Sequence, residues 1–306
     1  MNEIIQQIEH LWQEYATIRA LATSIGWAFV IYVSFFVFFF LVESRAGLDT
    51  ARYRSRNFIN DVLYTLLYQG GLFNILFYAP VFALLTPNLG FMRIDLLAPL
   101  PGLLGLVIWW IMADFIGYWV HRAQHTIPWL WAFHSVHHTQ TRMTFATSSR
   151  IHVVEQFYVN VLMFVPFALL GVYANQWMPV YFAFMFLESA QHAQVRWDYG
   201  RAHRLIVSPA FHAMHHSTKA EEYTGNYSKV LSVWDFLFGT YVDSARAPAA
   251  YGVEGMDVPE SLAAQFSHPF RLLSRRRTGT IGPPQPVPVP AQPIPDARSQ
   301  RSTSAD

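Results

Sequence analysis

Four long stretches of this chain carry almost no charge, and they restrict its fold more than any other feature. They cover residues 25–42, 62–85, 101–120 and 156–187, and their single charged residue is Asp114. About 20 apolar residues in a helix cross the hydrocarbon core of a bilayer. The last stretch is longer and is interrupted by proline and glycine, which predicts a helical hairpin. The sequence therefore predicts an all-α, integral-membrane bundle of four to five hydrophobic helices.

Composition supports a membrane protein and limits its chemistry. Charged residues make up 13% of the chain, about half the share that is usual in soluble domains. Cysteine is absent, which excludes disulfides, thiolate metal sites and iron–sulfur clusters held by cysteine. A metal bound by this chain would therefore be held by nitrogen and oxygen. The net charge of +1 gives no reason to expect a nucleic acid partner.

The chain divides into four segments. Residues 1–24 predict an amphipathic N-terminal helix, which could lie at the membrane interface or pack as an ordinary helix. Residues 25–100 predict transmembrane helices, and residues 101–245 contain the remaining uncharged stretches. Residues 246–306 predict a C-terminal segment that ends in a disordered, proline-rich tail.

Arginines indicate how the helices are oriented. Four of them lie between the first two uncharged stretches, whereas the next connection, 86–100, contains only Arg93. Basic residues favour the cytoplasmic side of a membrane, so the first connection is expected there. Counting the spans returns the ends of the third and fourth stretches to the same side. We predict a protein of the bacterial inner membrane with a helical, cytoplasmic cap.

Histidines are concentrated in this cap. Nine of the 13 lie in groups between positions 121 and 216. Within most groups the spacing is three or four residues, which places the side chains on one face of a helix. Neutral imidazole is the commonest metal ligand, and nine exceed the needs of one ion, so the pattern predicts a polynuclear metal site. The residues are His121, His125, His134, His137, His138, His192, His212, His215 and His216.

Ligand type alone leaves the identity of the metal open. An HExxH pattern and a Glu-x-x-His pair are both absent from the sequence. Their absence disfavours the common zinc protease site and the carboxylate di-iron bundle. A site made of imidazoles suits zinc, copper, iron or nickel.

Three polar residues are candidates for a second layer around the metal. Asp114 lies two helical turns before His121, where its carboxylate could accept a ring N–H. Metal-bound histidines commonly donate their second nitrogen in this way. His152 and Glu155 could add to the same layer, and His152 could equally be a direct ligand.

The order of these motifs resembles the fatty acid hydroxylase and sterol desaturase superfamily. The matching segments are DFIGYWVHRAQH, WAFHSVHH, ESAQHAQVRWDYG, SPAFHAMHHS and NYSKVLSVWDFLFGT, which run from about 114 to 240. The resemblance implies a fatty acid hydroxylase-like domain over 101–245, in which the nine histidines hold two iron ions. Some members have a further histidine at the position of Arg196, so nine ligands are expected unless His152, His203 or a water completes the set.

The resemblance also implies an activity. Oxygen activation at two irons, hydrogen abstraction and hydroxyl rebound would hydroxylate a C–H bond of a membrane lipid, with O2 as co-substrate. The lipid could be a fatty acyl lipid, a sterol or hopanoid, an ether lipid or an aminolipid. Desaturation and C-methyl oxidation begin with the same abstraction and remain alternatives.

Electrons for this reaction are expected from another protein. The sequence has no GxGxxG and no P-loop pattern, which argues against a fused nicotinamide or flavin domain. A separate reductase, ferredoxin or cytochrome b5-like donor is expected on the cytoplasmic face. The arginines near that face could receive the donor or could anchor the membrane surface; they are Arg122, Arg142, Arg196, Arg201 and Arg204.

Two other classes of protein would also gather histidines in a membrane. A metal transporter would line a spanning path with its ligands, whereas these histidines lie at one end of the predicted spans. A cytochrome with a bis-histidine haem needs facing histidines on two spanning helices, and the spans contain almost none.

Overall fold

The computed structural model describes residues 18–69, 79–94, 102–171, 174–195, 197–244, 247–256 and 260–277, with single positions 6, 73, 76–77 and 96. Within these ranges the chain forms helices and no strands, which confirms the all-α prediction. The α-helices are α1 Ile18–Arg45, α2 Arg56–Gln69, α3 Ala79–Leu89, α4 Gly102–Thr126, α5 Pro128–His138, α6 Val153–Leu169, α7 Ala174–His192, α8 Pro209–His215, α9 Ala220–Tyr223, α10 Val233–Phe238 and α11 Leu262–Arg277. Short 3-10 helices occupy Thr50–Arg54, Gly90–Met92, Phe145–Ser149 and Gly200–Arg204.

The apolar stretches of the sequence correspond to helices with somewhat different bounds. Helix α4 continues to Thr126, six residues beyond the third stretch, and so carries the first two of the nine grouped histidines. The fourth stretch is split between α6 and α7. The split follows α6 at Gly171, whose φ of 83° lies in the left-handed region that commonly ends a helix. Most of the predicted helix 1–24 and the tail after residue 277 lie outside the described residues.

Helix α4 is, within the described ranges, the one helix long and apolar enough to cross a membrane. Large apolar side chains are nonetheless exposed on several elements, including Trp27 and Phe29 on α1 and Leu103 on α4, which are 65%, 65% and 78% exposed. Exposed apolar surface of this extent is unusual for a soluble monomer and is expected of helices that contact lipid.

Helices α4, α6 and α7 pack around a shared apolar core. Trp109 and Ala113 of α4 contact Phe167 of α6, and Phe184 of α7 packs against them. Pro128 starts α5 immediately after α4, where a helix tolerates proline because its first N–H groups have no intrahelical acceptor. Helix α5 therefore packs against the end of α4, and α11 covers it.

Buried charges fix the connection between α5 and α6. Arg150 Nε donates to Asp61 Oδ1 of α2 at 2.6 Å. Glu43, near the end of α1, accepts hydrogen bonds from the backbone N–H groups of Phe145 at 3.2 Å and Gln194 at 2.7 Å. These contacts tie α1 and α2 to the two segments that flank the histidine-bearing helices.

Candidate metal centre

The nine predicted histidines lie together in two groups. The five-histidine group consists of His121, His125, His134, His138 and His215, and the four-histidine group of His137, His192, His212 and His216. Within each group the potential ligand atoms lie within 4.8 Å of one another. They come from the C-terminal halves of α4 and α5, the last residue of α7, and α8 with the residue that follows it.

Spacing along the helices explains the division between the groups. In α5 the side chains of His134 and His138 are four residues apart and enter the five-histidine group, whereas His137 points to the other group. His212 of α8 and His216, which directly follows the helix, are four residues apart and enter the four-histidine group, and His215 crosses to the first. Each of the two HxxHH motifs therefore contributes to both groups.

Hydrogen bonds to the outer ring nitrogens fix which nitrogen faces the centre. His121 Nδ1 contacts the carbonyl oxygen of Tyr227 at 2.7 Å, and His215 Nδ1 contacts that of Gly225 at 2.7 Å. A carbonyl oxygen can only accept, so both Nδ1 atoms donate and both Nε2 atoms of the neutral rings carry lone pairs. These two Nε2 atoms are nevertheless 3.0 Å apart. Two lone pairs at that distance repel unless a cation lies between them.

His134 has the same arrangement as His121 and His215, and close Nε2 atoms also occur in the four-histidine group. His134 Nδ1 donates to the Glu155 carboxylate at 2.6 Å, and its Nε2 lies 3.2 Å from that of His121. In the four-histidine group the Nε2 of His192 lies 3.1 Å from that of His137 and 3.0 Å from that of His212. Nitrogens about 2.1 Å from one metal ion and at right angles to each other are separated by about 3.0 Å. The donor atoms therefore fit a metal ion in each group.

Burial keeps the rings in the form that binds metal. The histidines of the two groups are between 0% and 6% exposed. Burial lowers the pKa of His137 and His138 well below the ordinary value and lowers the pKa of His215 to about 3. The imidazoles are thus neutral at physiological pH, with a lone pair available for a metal.

A loop between α9 and α10 supplies the two carbonyl acceptors, and sequence reasoning assigned it no role. Asn226 takes a left-handed conformation with φ of 57° and accepts from the N–H of Val242 at 2.8 Å. Asp235 accepts from the N–H groups of Tyr227 at 2.9 Å and Ser228 at 2.8 Å. The Asn, Asp and Gly-Thr of NYSKVLSVWDFLFGT are the sequence signal of a loop held by side chains. The direction of its carbonyl groups, however, cannot be read from residue types.

Asp114 is a correction to the sequence interpretation. Its carboxylate accepts from the backbone N–H groups of Val230 and Leu231 and from Trp234 Nε1, each at 2.8 Å. The prediction that it accepts a ring N–H from a ligand histidine is therefore wrong. The segment before α10 packs against α4 at this level, and its free N–H groups bind the carboxylate. Asp114 thus supports the loop rather than a histidine.

Glu155 contacts the five-histidine group directly. Besides the ring N–H of His134, it accepts from Gln124 Nε2 at 2.8 Å. Gln124 also donates to the hydroxyl of Tyr158 at 3.0 Å. This chain of hydrogen bonds links α4, α5 and α6 at the level of the histidines.

The structure places His152 and His203 outside both groups. His152 caps α6, because its Nδ1 accepts from the N–H of Val154 at 3.1 Å and its Nε2 donates to the carbonyl of Phe266 at 3.0 Å. The suggestion that it is a ligand or a second-layer residue is therefore wrong. The ring of His203 donates to the Gly200 carbonyl within a 3-10 turn. Arg196 lies outside the described residues.

The sequence of this chain is similar to those of several known proteins. The family model "Fatty acid hydroxylase" matches residues 106–240. An ornithine lipid hydroxylase of Rhizobium tropici is 26% identical over 82% of this chain and 77% of its own length. A very-long-chain aldehyde decarbonylase of rice is 30% identical over 68% of this chain and 76% of its own. Human alkylglycerol monooxygenase is 30% identical over 52% of this chain, and the matched region covers 35% of that protein. No solved structure matches.

Proposed function

Because this chain belongs to the fatty acid hydroxylase family, we propose that it is an oxygen-dependent oxidoreductase that hydroxylates a C–H bond of a membrane lipid with two iron ions. The observation that carries the proposal is the convergence of nine buried imidazoles in two groups whose Nε2 atoms lie about 3 Å apart. Relatives named as an ornithine lipid hydroxylase and an alkylglycerol monooxygenase support a lipid as the substrate.

The proposed reaction requires a redox-active metal, and the family resemblance implies iron among the metals that imidazole binds. Monooxygenation transfers one atom of O2 to the substrate and reduces the other to water, which consumes two electrons and two protons. Zinc has no redox chemistry, and nitrogen ligands suit iron. Two iron ions held by the histidine groups would supply the activation of O2 and the oxidation of the C–H bond.

The protein's own residues would prepare the centre for this chemistry. Neutral, buried imidazoles hold ligand lone pairs ready and exclude water from the groups. The carbonyls of Gly225 and Tyr227 and the carboxylate of Glu155 fix the rings of His215, His121 and His134, so that their Nε2 atoms face inward. Outer partners of this kind orient ligands and raise their basicity.

The proposal also includes the side of the membrane on which the centre lies and the source of its electrons. We place the histidine groups at the cytoplasmic side of a bacterial inner membrane, because the arginine-rich connection between α1 and α2 favours that side. A reductase, ferredoxin or cytochrome b5-like protein would deliver electrons there. Arg142, Arg201 and Arg204 are exposed and are candidates for the surface on which this donor docks. Desaturation or C-methyl oxidation of the lipid is the alternative outcome of the same chemistry.

Metal content and lipid products together test the proposal. The purified protein should contain two irons per chain and no Soret band in its absorption spectrum. With an electron donor and ¹⁸O2, a lipid should gain one labelled oxygen atom. Loss of two hydrogens would indicate the desaturase alternative. Zinc alone would contradict the proposal and favour the transporter interpretation. A haem spectrum would contradict it and favour the cytochrome interpretation.

A further inference from the structure

An ion pair lies one helical turn away from the histidine groups. Lys229 Nζ donates to Glu188 Oε1 at 2.6 Å. Glu188 is one turn before His192 in α7, and its carbonyl accepts the ring N–H of His192 at 2.7 Å. The Lys229 side chain lies against Gly117, one turn before His121 in α4, where a Cβ would be 3.1 Å from Lys229 Cδ. Glu188 is therefore one turn from a histidine of the four-histidine group, and Lys229 contacts a residue one turn from a histidine of the five-histidine group.

The two side chains of the pair are partly exposed, whereas the histidines beyond them are buried. The side chains of Lys229 and Glu188 are 29% and 28% exposed. His121 and His192 are each 4% exposed. A ligand can therefore reach the ion pair without displacing a histidine.

The pair also has unused hydrogen-bonding capacity. An ammonium has three donors and a carboxylate has two acceptor oxygens. Within the part of the chain that the structure describes, Nζ makes one hydrogen bond and Glu188 Oε2 makes none. The buried pair of Arg150 and Asp61 differs in its hydrogen bonding. Gln140 and Thr147 also donate to the carboxylate of Asp61, and this carboxylate is 0% exposed.

A charged pair between apolar helices needs an explanation other than stability. The attraction between two charges often fails to repay the cost of removing them from water. Ionisable groups among membrane helices commonly mark a binding site or pathway. Here the free donors of the lysine call for an anionic group, and the free carboxylate oxygen calls for a cationic one. A ligand with both charges leaves neither residue facing a like charge.

We propose that Lys229 and Glu188 bind the headgroup of a zwitterionic lipid, with an acidic group on the ammonium and a primary amine on the carboxylate. The inference rests on the proposed function and narrows its substrate class. It favours lipids that carry both an amine and a carboxylate or phosphate over sterols, hopanoids and neutral ether lipids. Bound in this way, the headgroup places atoms next to it within reach of both histidine groups.

Lipid binding tests the inference without any need for metal or oxygen. Native mass spectrometry of the purified full chain would compare three lipids of equal chain length. They are an N-acylated diamino acid lipid with a free amine and carboxylate, phosphatidylethanolamine, and a neutral alkylglycerol. We expect at least one zwitterionic lipid to bind about ten-fold or more tightly than the alkylglycerol, as expected when charged hydrogen bonds are lost. The stronger of the two zwitterions identifies the acidic group as carboxylate or phosphate.

Variants locate the preference in the ion pair. Lys229→Met and Glu188→Gln should each abolish the preference for a zwitterionic lipid over the alkylglycerol, and Lys229→Arg should retain that preference. The double variant K229M/E188Q removes both charges, so that no unpaired charge impairs folding, and should also bind all three lipids alike. Lys219→Met is the control, because Lys219 is an exposed lysine whose ion pair, with Glu222 at 3.6 Å, does not involve Glu188. A preference that survives in the double variant, or equal binding by the unaltered protein, would overturn the inference.

Parallel oxidation assays separate this inference from the proposed function. Oxidation of the neutral lipid by an iron-loaded protein that shows no binding preference would overturn the inference and leave the function standing. A strong zwitterion preference without oxidation of any lipid would overturn the function and leave the headgroup site standing.

Discussion

His134 differs from two of its neighbours in the partner of its outer nitrogen. His121 and His215 donate to backbone carbonyls, whereas His134 donates to the carboxylate of Glu155. A carboxylate is the stronger acceptor and makes the ring a better electron donor to a metal. Within the described residues, Glu155 is the carboxylate that contacts a ring nitrogen of either group. The five-histidine group should therefore hold its ion more tightly because of this residue.

Replacement of Glu155 by glutamine tests that role. Glu155→Gln keeps the size of the side chain and removes its charge, so iron affinity at one of the two positions should fall by about 10- to 100-fold. Competition with a chelator, followed by metal analysis, measures the change. Glu221→Gln removes an exposed carboxylate and serves as the control. Unchanged release of both irons would show that the carboxylate does not support the metal.

Single histidine replacements test the ligand set. We expect His137→Ala and His215→Ala to abolish lipid oxidation while the protein stays in the membrane, because each removes a ligand from one group. His203→Ala should leave iron content and oxidation unchanged, since the ring of His203 contacts only its own 3-10 turn and nearby aromatic rings. Full activity in either ligand variant would contradict the assignment.

At the scale of elements, the loop between α9 and α10 acts as a template for two ligands. Gly225 is packed so closely that a Cβ there would contact the side chain of Val242 and lie 2.6 Å from the carbonyl oxygen of Thr240. The loop would have to shift to accept a side chain, and the carbonyl that holds His215 would move with it. Glycine at this position is thus a condition for the metal centre.

Gly225→Ala should therefore impair both folding and metal binding. Overpacking of this kind destabilises by about 1–3 kcal/mol, and a displaced carbonyl should lower the iron content. Thermal unfolding in detergent and metal analysis measure the two effects. The matched control is Gly90→Ala, at a position where a Cβ meets nothing within 4 Å. Normal iron content in Gly225→Ala would mean that the loop does not position the ligands.

Helix α6 gives a second test at this scale. His152 caps its N-terminus and also donates to the carbonyl of Phe266 in α11. His152→Ala should destabilise the protein by about 1 kcal/mol or more through loss of the cap, with two irons still bound. A melting curve and metal analysis on the same sample check both parts. Loss of iron would restore His152 as a candidate ligand.

For the whole molecule, sequence could predict the helices and the set of histidines, but not the contacts that hold them. Apolar stretches and three- or four-residue spacings are local, so they could be read directly. The partition of each HxxHH motif between two groups depends on how α5 and α8 face each other. The misassigned roles of Asp114 and His152 have the same origin. The carboxylate of Asp114 and the imidazole of His152 bind free backbone groups that tertiary packing brings near them. For Asp114 these groups lie in the segment before α10, and for His152 the group lies in α11.

Metal removal should affect the stability of the whole molecule, because the centre joins α4, α5, α7 and α8. A ligand that binds only the folded state stabilises it in proportion to the logarithm of its concentration over its Kd. Stripping the metal leaves the Nε2 lone pairs of His121, His134 and His215 3.0 to 3.2 Å apart with no cation between them, so the melting temperature in detergent should fall by several degrees. Zinc should restore the melting temperature without restoring lipid oxidation, since it is redox-inert, whereas iron should restore both. If the stripped protein melted at the same temperature as the loaded one, the histidine groups would not be the binding site of the metal ions. If zinc restored oxidation, the reaction would not depend on a redox-active metal.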